Sequence, residues 1–255
     1  MKVIIVMPAR NVEKTLEKTY NDIPKGIADQ IILVDNNSRD RTVDVAKRLG
    51  ITVFRHPKDR GYGGSQKSLY TEALKASADI VVMLHPDYQY DASLLPELIR
   101  PIQQGRCDCV IGSRIRTRRE TLEGGMPVYK YIANRFLTFV ENIALGTSLS
   151  EFHTGFRAFS KRLLETVPYH LNSNNYVFDS QMLIQIIALG FKVLEIQVPT
   201  RYFKEASSPN FIESTIYGVS TLWCVIKYLL HRAGWKSSLF EPVFLKDEEN
   251  RDKDR

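Results

Sequence analysis

The chain has 255 residues, 44% of them hydrophobic and 25% charged, and its 35 Lys and Arg against 29 Asp and Glu give a net charge of +6. That length fills a core without disulfides, and the composition excludes a fibre, a repeat array or a wholly disordered chain. The positive balance favours anionic partners such as nucleotide diphosphates, lipid phosphates or anionic bilayers. Nucleic acid is not expected, because the densest basic run, Arg114-Ile115-Arg116-Thr117-Arg118-Arg119, lacks interleaved aromatics and no binding module accompanies it. Cys107, Cys109 and Cys224 form no zinc spacing, so a reducing, cytoplasmic location is expected. Lys2 to Met7 runs straight into Pro8 with no secretory pattern, and no stretch reaches the roughly 18 apolar residues of a spanning helix.

The first half alternates β-branched runs with helical patterns, which predicts βαβ units and an α/β fold with a mostly parallel sheet. Strands are expected at 3–7, 30–34, 51–54, 80–84 and 109–111. Helices are expected near 13–23, 41–49, 64–76 and 92–103, with Asp91 as a cap and Gly50 as a terminator. After Gly112 the rhythm changes. A basic loop leads to the hinge Gly124-Gly125-Met126-Pro127, then to a long helix carrying Ile132, Phe136, Phe139, Val140 and Ile143 on one side. Strands at 154–159 and 192–198 and helices at 178–189 and 211–232 follow. A single domain over 1–235 is expected, split into halves at about 1–114 and 115–235, with a charged, disordered tail over 236–255. In the last helix Ile212, Ile216, Val219, Trp223, Ile226 and Leu230 suit core packing, while Trp223 and Tyr228 beside Lys227, His231 and Arg232 also suit a membrane interface.

In open α/β sheets ligands lie beyond the carboxyl ends of the strands, so chemistry is sought after Met7, Val34, Leu84 and Ile111. After the first strand stand Pro8, Ala9, Arg10 and Asn11, and after the second Asp35-Asn36-Asn37-Ser38-Arg39-Asp40. Asp35 can accept hydrogen bonds from a base or ribose; Asn37, Ser38 and Asp40 serve equally as turn and cap residues. Gly61-Tyr62-Gly63-Gly64-Ser65-Gln66-Lys67-Ser68 is not a P-loop, although glycines such as Gly63 opening a helix can bring backbone N–H groups to a ligand. The sharpest cluster is His85-Pro86-Asp87-Tyr88-Gln89. In an extended chain His85, Asp87 and Gln89 project together and offer an imidazole and two oxygen ligands to a divalent ion. The plainer alternative is a helix-start turn.

These motifs recur in the order found in family-2 inverting glycosyltransferases of the GT-A fold, which the chain resembles from about Lys2 to Arg232. The stretches Glu151-Phe152-His153-Thr154-Gly155-Phe156-Arg157, Phe178-Asp179-Ser180-Gln181 and Glu195-Ile196-Gln197-Val198-Pro199 are similar to the branch that acts on dolichyl and other polyprenyl phosphates. The resemblance implies a nucleotide-diphosphate-sugar donor and bound Mg2+ or Mn2+. It places Asp35 at the nucleotide, Asp87 as the second carboxylate of the family's D-x-D motif, Gln89 as a companion ligand and Arg114 on a phosphate. Asp179 falls beside the acceptor as a candidate base, and Arg157 follows the acceptor-side Gly155. For a lipid phosphate, Arg157, Arg201 and Lys204 would supply charge-assisted bonds. Four departures stand out: His85 replaces the first D-x-D carboxylate, Asn36 replaces an acidic residue, Glu151 stands where that branch usually has Asp, and Gln181 where it usually has Glu.

The expected function is transfer of a sugar to a polyprenyl phosphate, with a glycan or other hydroxyl acceptor as the second choice. A non-catalytic nucleotide-sugar binder is the rival outside enzymes, and His85 is its best argument. A nucleotidyltransferase is disfavoured because Pro8-Ala9-Arg10-Asn11 stands where a glycine-rich loop and lysine belong. Peripheral membrane contact is expected, and a homo-oligomer is left open.

Overall fold

The computed structural model describes residues 1–115, 117–199 and 211–243. Arg201, Lys204 and the last twelve residues of the tail therefore lie outside the described residues.

Seven strands form one sheet: β1 (Val3–Ala9), β2 (Gln30–Asp35), β3 (Thr52–Arg55), β4 (Ile80–Met83), β5 (Cys109–Ser113), β6 (Arg157–Ser160) and β7 (Val193–Gln197). Their spatial order is β3-β2-β1-β4-β6-β5-β7, and only β6 runs antiparallel to its neighbours. The helices are α1 (Leu16–Asn21), α2 (Thr42–Arg48), α3 (Gly61–Lys75), α4 (Leu95–Gln103), α5 (Arg118–Glu123), α6 (Val128–Leu145), α7 (Lys161–Thr166), α8 (Phe178–Ala188) and α9 (Phe211–Arg232). All five strands expected in the first half are present, within two residues of their anticipated ends. Two elements depart most from the expected bounds. The helix expected at 13–23 is only α1, because residues 11–13 are taken up by contacts to the next loop, and the strand expected at 154–159 begins at Arg157.

β1 is almost wholly apolar because it is covered on both faces. Ile4 and Val6 join Ile32, Val34, Val81 and Met83 on one face, packed with α3 and α8. Ile5 and Met7 join Leu33 and Val82 on the other, where α4 buries Leu95, Leu98, Ile99 and Ile102 at helical spacing. Asp91 accepts from the Ser93 N–H and caps the short turn leading into α4, as expected.

The helices after β5 behave differently. On α6 the side chains facing inward are Asn134, Leu137, Thr138, Glu141 and Leu145, whereas Ile132, Phe136, Phe139 and Ile143 are 57–67% exposed. On α9, which packs beside α6, Thr221, Cys224, Val225 and Tyr228 are buried while Ile216, Val219 and Trp223 point outward. No helix among the described residues is long and apolar enough to cross a membrane.

Candidate active site

The carboxyl ends of β1 and β2 form the first wall. Asp35 closes β2, is fully buried, and accepts from the Ser38 N–H at 3.3 Å while pairing with Arg55 Nε at 3.2 Å. The two following loops are tied together: Asn11 N donates to Ser38 Oγ (2.9 Å), Arg39 N to Asn11 Oδ1 (2.8 Å) and Glu13 N to Asp40 Oδ2 (3.0 Å). Asn11 and Asn37 take left-handed φ values of 54° and 60°, which asparagine tolerates better than most residues. Ser38 and Asp40 are thus occupied as turn residues. Pro8 and Ala9 lie in register with Val34 and Asp35, and Arg10 pairs with Asp59 at 2.6 Å. Asn36 also serves this frame, donating to Asp59 Oδ1 (2.7 Å) and accepting from Arg60 N (2.9 Å). Sequence inspection did not single out Asp59.

The segment after β4 is a turn rather than the extended chain assumed from alternation. Tyr88 has φ 64°, in the left-handed region that a bulky side chain rarely adopts, and Gln89 N donates to Asp87 Oδ1 at 3.2 Å. His85, Asp87 and Gln89 nevertheless line one cavity. His85 stacks on Tyr62, and its Nε2 lies 3.2 Å from the Tyr62 hydroxyl. Burial holds its pKa below the ordinary histidine value despite the nearby charges of Asp87 and Asp179, so the ring is neutral near pH 7. Gly155 makes room for this ring: a Cβ there would stand 2.5 Å from His85 Nε2.

Asp179 opens α8 and is nearly buried. Its carboxylate accepts from Tyr62 Oη at 2.6 Å and from Gln66 Nε2 at 2.8 Å, and Tyr70 in turn donates to Gln66 Oε1 at 2.6 Å. Burial, reinforced by the charge of Asp179, raises the Tyr62 pKa well above the usual tyrosine value, so Tyr62 remains a donor. Tyr62, Gln66 and Tyr70 share one face of α3 at four-residue spacing; that periodicity was the available signal, and the glycines drew attention away from it. Gly63 has a packing role. Its N–H donates to Asn174 O at 2.7 Å, and an added Cβ would meet Ser173 O at 2.3 Å.

Arg114, at the exit of β5, is anchored by Glu151. Its backbone N and Nε donate to the Glu151 carboxylate at 2.7 and 2.9 Å, its Nη2 also reaches that carboxylate and His153 O (2.6 Å), and Asn134 Nδ2 donates to Glu151 Oε1 at 2.8 Å. Arg157 is placed otherwise than the acceptor-contact role requires. It is buried inside the sheet and directs its guanidinium to Thr154 O (2.7 Å), Asp179 O (2.8 Å) and Phe152 O (2.9 Å). It builds the floor under Asp179 instead of lining the cavity.

The cavity, of about 230 Å³, brings His85, Asp87, Gln89, Arg114 and Asp179 together with Lys130, Asn134, His153 and Tyr217 from the second half. Burial, with the nearby charge of Arg114, lowers the Lys130 pKa, as expected where two cations share a partly desolvated space.

Residues 4–167 match the model of glycosyl transferase family 2. The chain belongs to that family. Among family 2 relatives, the UDP-N-acetylglucosamine–dolichyl-phosphate N-acetylglucosaminyltransferase of Methanococcus voltae is 27% identical over 217 residues, covering 78% of this chain and 86% of the relative. The dolichol-phosphate mannosyltransferase of Pyrococcus furiosus is 28% identical over 247 residues, covering 91% of this chain and 62% of that enzyme. Among solved structures, glucosyl-3-phosphoglycerate synthase from Mycobacterium tuberculosis with UDP superimposes with a TM-score of 0.70 at 22% identity, over 93% of this chain and 82% of that one. That synthase has also been crystallised with Mn2+, UDP-glucose and phosphoglyceric acid, and with Mg2+ and UDP. The fold is thus that of GT-A enzymes, as the sequence motifs led one to expect.

Proposed function

We propose that this family 2 glycosyltransferase moves a sugar from a nucleoside-diphosphate sugar to a polyprenyl phosphate while resting on an anionic bilayer. The observation that carries this reading is the shared cavity. Asp87, Gln89 and His85 stand on its donor wall and Arg114 and Lys130 on the other, while α6 and α9 beside it turn apolar faces outward. An anionic acceptor is already deprotonated and needs cations more than a base, which is what Arg114 and Lys130 provide. The dolichyl-phosphate substrates of the two archaeal relatives support the same acceptor class. Asp35 at the crevice between β1 and β2 would hold the nucleoside, and Asp179 the face of the sugar turned towards the acceptor.

A divalent ion fits the donor wall. One buried carboxylate, one carboxamide oxygen and a neutral imidazole suit Mn2+ or Mg2+, and among the described residues no cluster of three His, Cys, Asp or Glu makes a closed cage. Asp87 and Gln89 would hold the ion, with His85 at its edge, and the ion would supply neutralising charge to the departing diphosphate.

The outer faces favour a bilayer. Phe136, Phe139, Ile143, Val219 and Trp223 are exposed on adjacent helices, with Lys227 over the Trp223 ring at 5.8 Å and Arg232 and Lys236 beyond. The deciding assay incubates the protein with radiolabelled UDP- and GDP-sugars, a polyprenyl phosphate and Mn2+ or Mg2+. Label moving into organic solvent is the expected result. Label transferred only to water-soluble hydroxyl acceptors would overturn the lipid reading.

A further inference from the structure

The donor wall and the carboxylate of Asp179 meet at one side chain. Tyr62, near the start of α3, stands between them: its hydroxyl oxygen is 3.2 Å from His85 Nε2 and 2.6 Å from Asp179 Oδ2. The Tyr62 and His85 rings lie within 8° of parallel, and Gly155 sits so close to the Nε2 edge of the imidazole that a Cβ there would stand 2.5 Å from that nitrogen. That edge is therefore closed on Gly155 and Tyr62. Asp179 is fixed as well, because Gln66 Nε2 holds its other carboxylate oxygen at 2.8 Å and Arg157 Nη1 holds its backbone carbonyl at 2.8 Å.

Proton counting assigns the ring. A phenol carries one proton and a carboxylate is an acceptor only, so at 2.6 Å the Tyr62 proton lies on the line to Asp179. Turned the other way, it would leave two oxygens facing each other with lone pairs alone. The Tyr62 oxygen thus offers lone pairs to His85, and Nε2 carries the hydrogen. In the neutral ring the lone pair is then on Nδ1. Among the described residues Nδ1 has no hydrogen-bond partner, and the ring lines the cavity together with Asp87 and Gln89.

We infer that Tyr62 is a positioning residue for the divalent ion: it fixes His85 as the Nε2–H tautomer, so that Nδ1 is a ligand alongside Asp87 and Gln89. A histidine that binds a metal through one nitrogen commonly gives its other N–H to an oxygen, which orients the ring and makes the ligand nitrogen more basic. Here that oxygen belongs to Tyr62, whose own proton goes on to Asp179. His85 is then a working substitute for the first carboxylate of D-x-D and not a sign of lost function.

The inference rests on the donor-wall ion of the proposed function, and Mn2+ itself is the probe. With UDP present, Mn2+ bound to the wild-type protein should show the nitrogen modulation of a directly bound imidazole in pulsed electron paramagnetic resonance. At saturating Mn2+, His85→Ala should lose that modulation, which separates His85 from His153, the other imidazole lining the cavity. Tyr62→Phe should weaken Mn2+ binding about tenfold and leave the binding of UDP alone unchanged. In the His85→Ala background the same substitution should cost nothing more, because Tyr62 reaches the ion only through the ring. Additive losses accompanied by weaker UDP binding would make Tyr62 merely structural and overturn the inference. So would wild-type Mn2+ bound without nitrogen modulation, modulation that survives His85→Ala, or Tyr62→Phe binding Mn2+ as tightly as the wild type; each leaves Asp87 as the ligand. The spectra of the wild type and His85→Ala decide the matter even where Tyr62→Phe does not fold. A wild-type protein that binds UDP but no Mn2+ would remove the ion from the donor wall, and this inference with it.

Discussion

The loops after β1 and β2 are sewn to each other by side-chain-to-backbone hydrogen bonds, with Asn11, Ser38 and Asp40 all engaged. The α6–α9 pair carries its bonds differently. Its polar groups face inward, towards Glu151, His153 and Ser180, and its large apolar groups face outward. The first region is organised as in an ordinary globular protein, and its shape is set before a ligand arrives. The second is partly inverted, so its outer surface finds a better environment against hydrocarbon than against water. On the proposed function, the first region would hold the nucleotide in a fixed place and the second would receive an acceptor delivered from an apolar phase.

The hardest blow to the donor side is Asp87→Ala, which should lower transfer by about a thousandfold, the scale expected when charge stabilisation of a leaving group is lost. An unchanged melting temperature should accompany that loss, because Asp87 lines the cavity, and full activity would rule out the metal role. Asp179→Asn sharpens the boundary between the two sides. With a hydroxyl acceptor it should cost about a hundredfold or more, and with a phosphate acceptor far less; equal losses would remove Asp179 as a base. On the outer face, Phe136→Ser with Phe139→Ser should cut partitioning onto anionic vesicles about tenfold per ring, while UDP binding in solution stays constant. Partitioning equal to that of the wild type would show that the exposed stripe serves another purpose.

The smallest expected effect is on acid stability. Burial alone would raise the Glu151 pKa, but the Arg114 charge and the hydrogen bonds from Arg114 and Asn134 prevail and hold it below the ordinary value of 4.5. This contribution is therefore complete above about pH 4.5 and is lost as the pH falls through the depressed pKa. Glu151→Gln should flatten the melting temperature between pH 5 and 3, measured by circular dichroism, whereas a slope as steep as the wild type's would assign acid sensitivity elsewhere.

Much of this organisation was legible in the residues. The parallel strands were readable because each is a short, β-branched run bounded by turns, and the placing of Asp35 and Asp87 at the ligand rim of the sheet because each stands at or just beyond a strand exit. The α6 stripe was visible as a period, but a period does not say which side faces in. That was decided by Asn134 and Glu141, which meet Glu151 and His153 beyond the end of the helix. Tyr62 and Gln66 escaped notice for the same reason, since their target Asp179 lies more than a hundred positions away. Arg157 misled because charge suggests a ligand, and nothing local shows that three carbonyls already claim its guanidinium.

The reversal of β6 has a further consequence. Because this strand runs against β4 and β5, the segment that precedes it arrives at the same rim where β4 and β5 leave the sheet. A parallel strand there would have delivered Glu151 to Gly155 to the opposite rim, far from Asp87. The pairing of Arg157 with both Met83 and Ile111 locks that delivery, so deletion of Ala158 would turn the guanidinium to the other face and unseat the segment from Glu151 to Gly155, while the rim formed by β1 and β2 kept its shape.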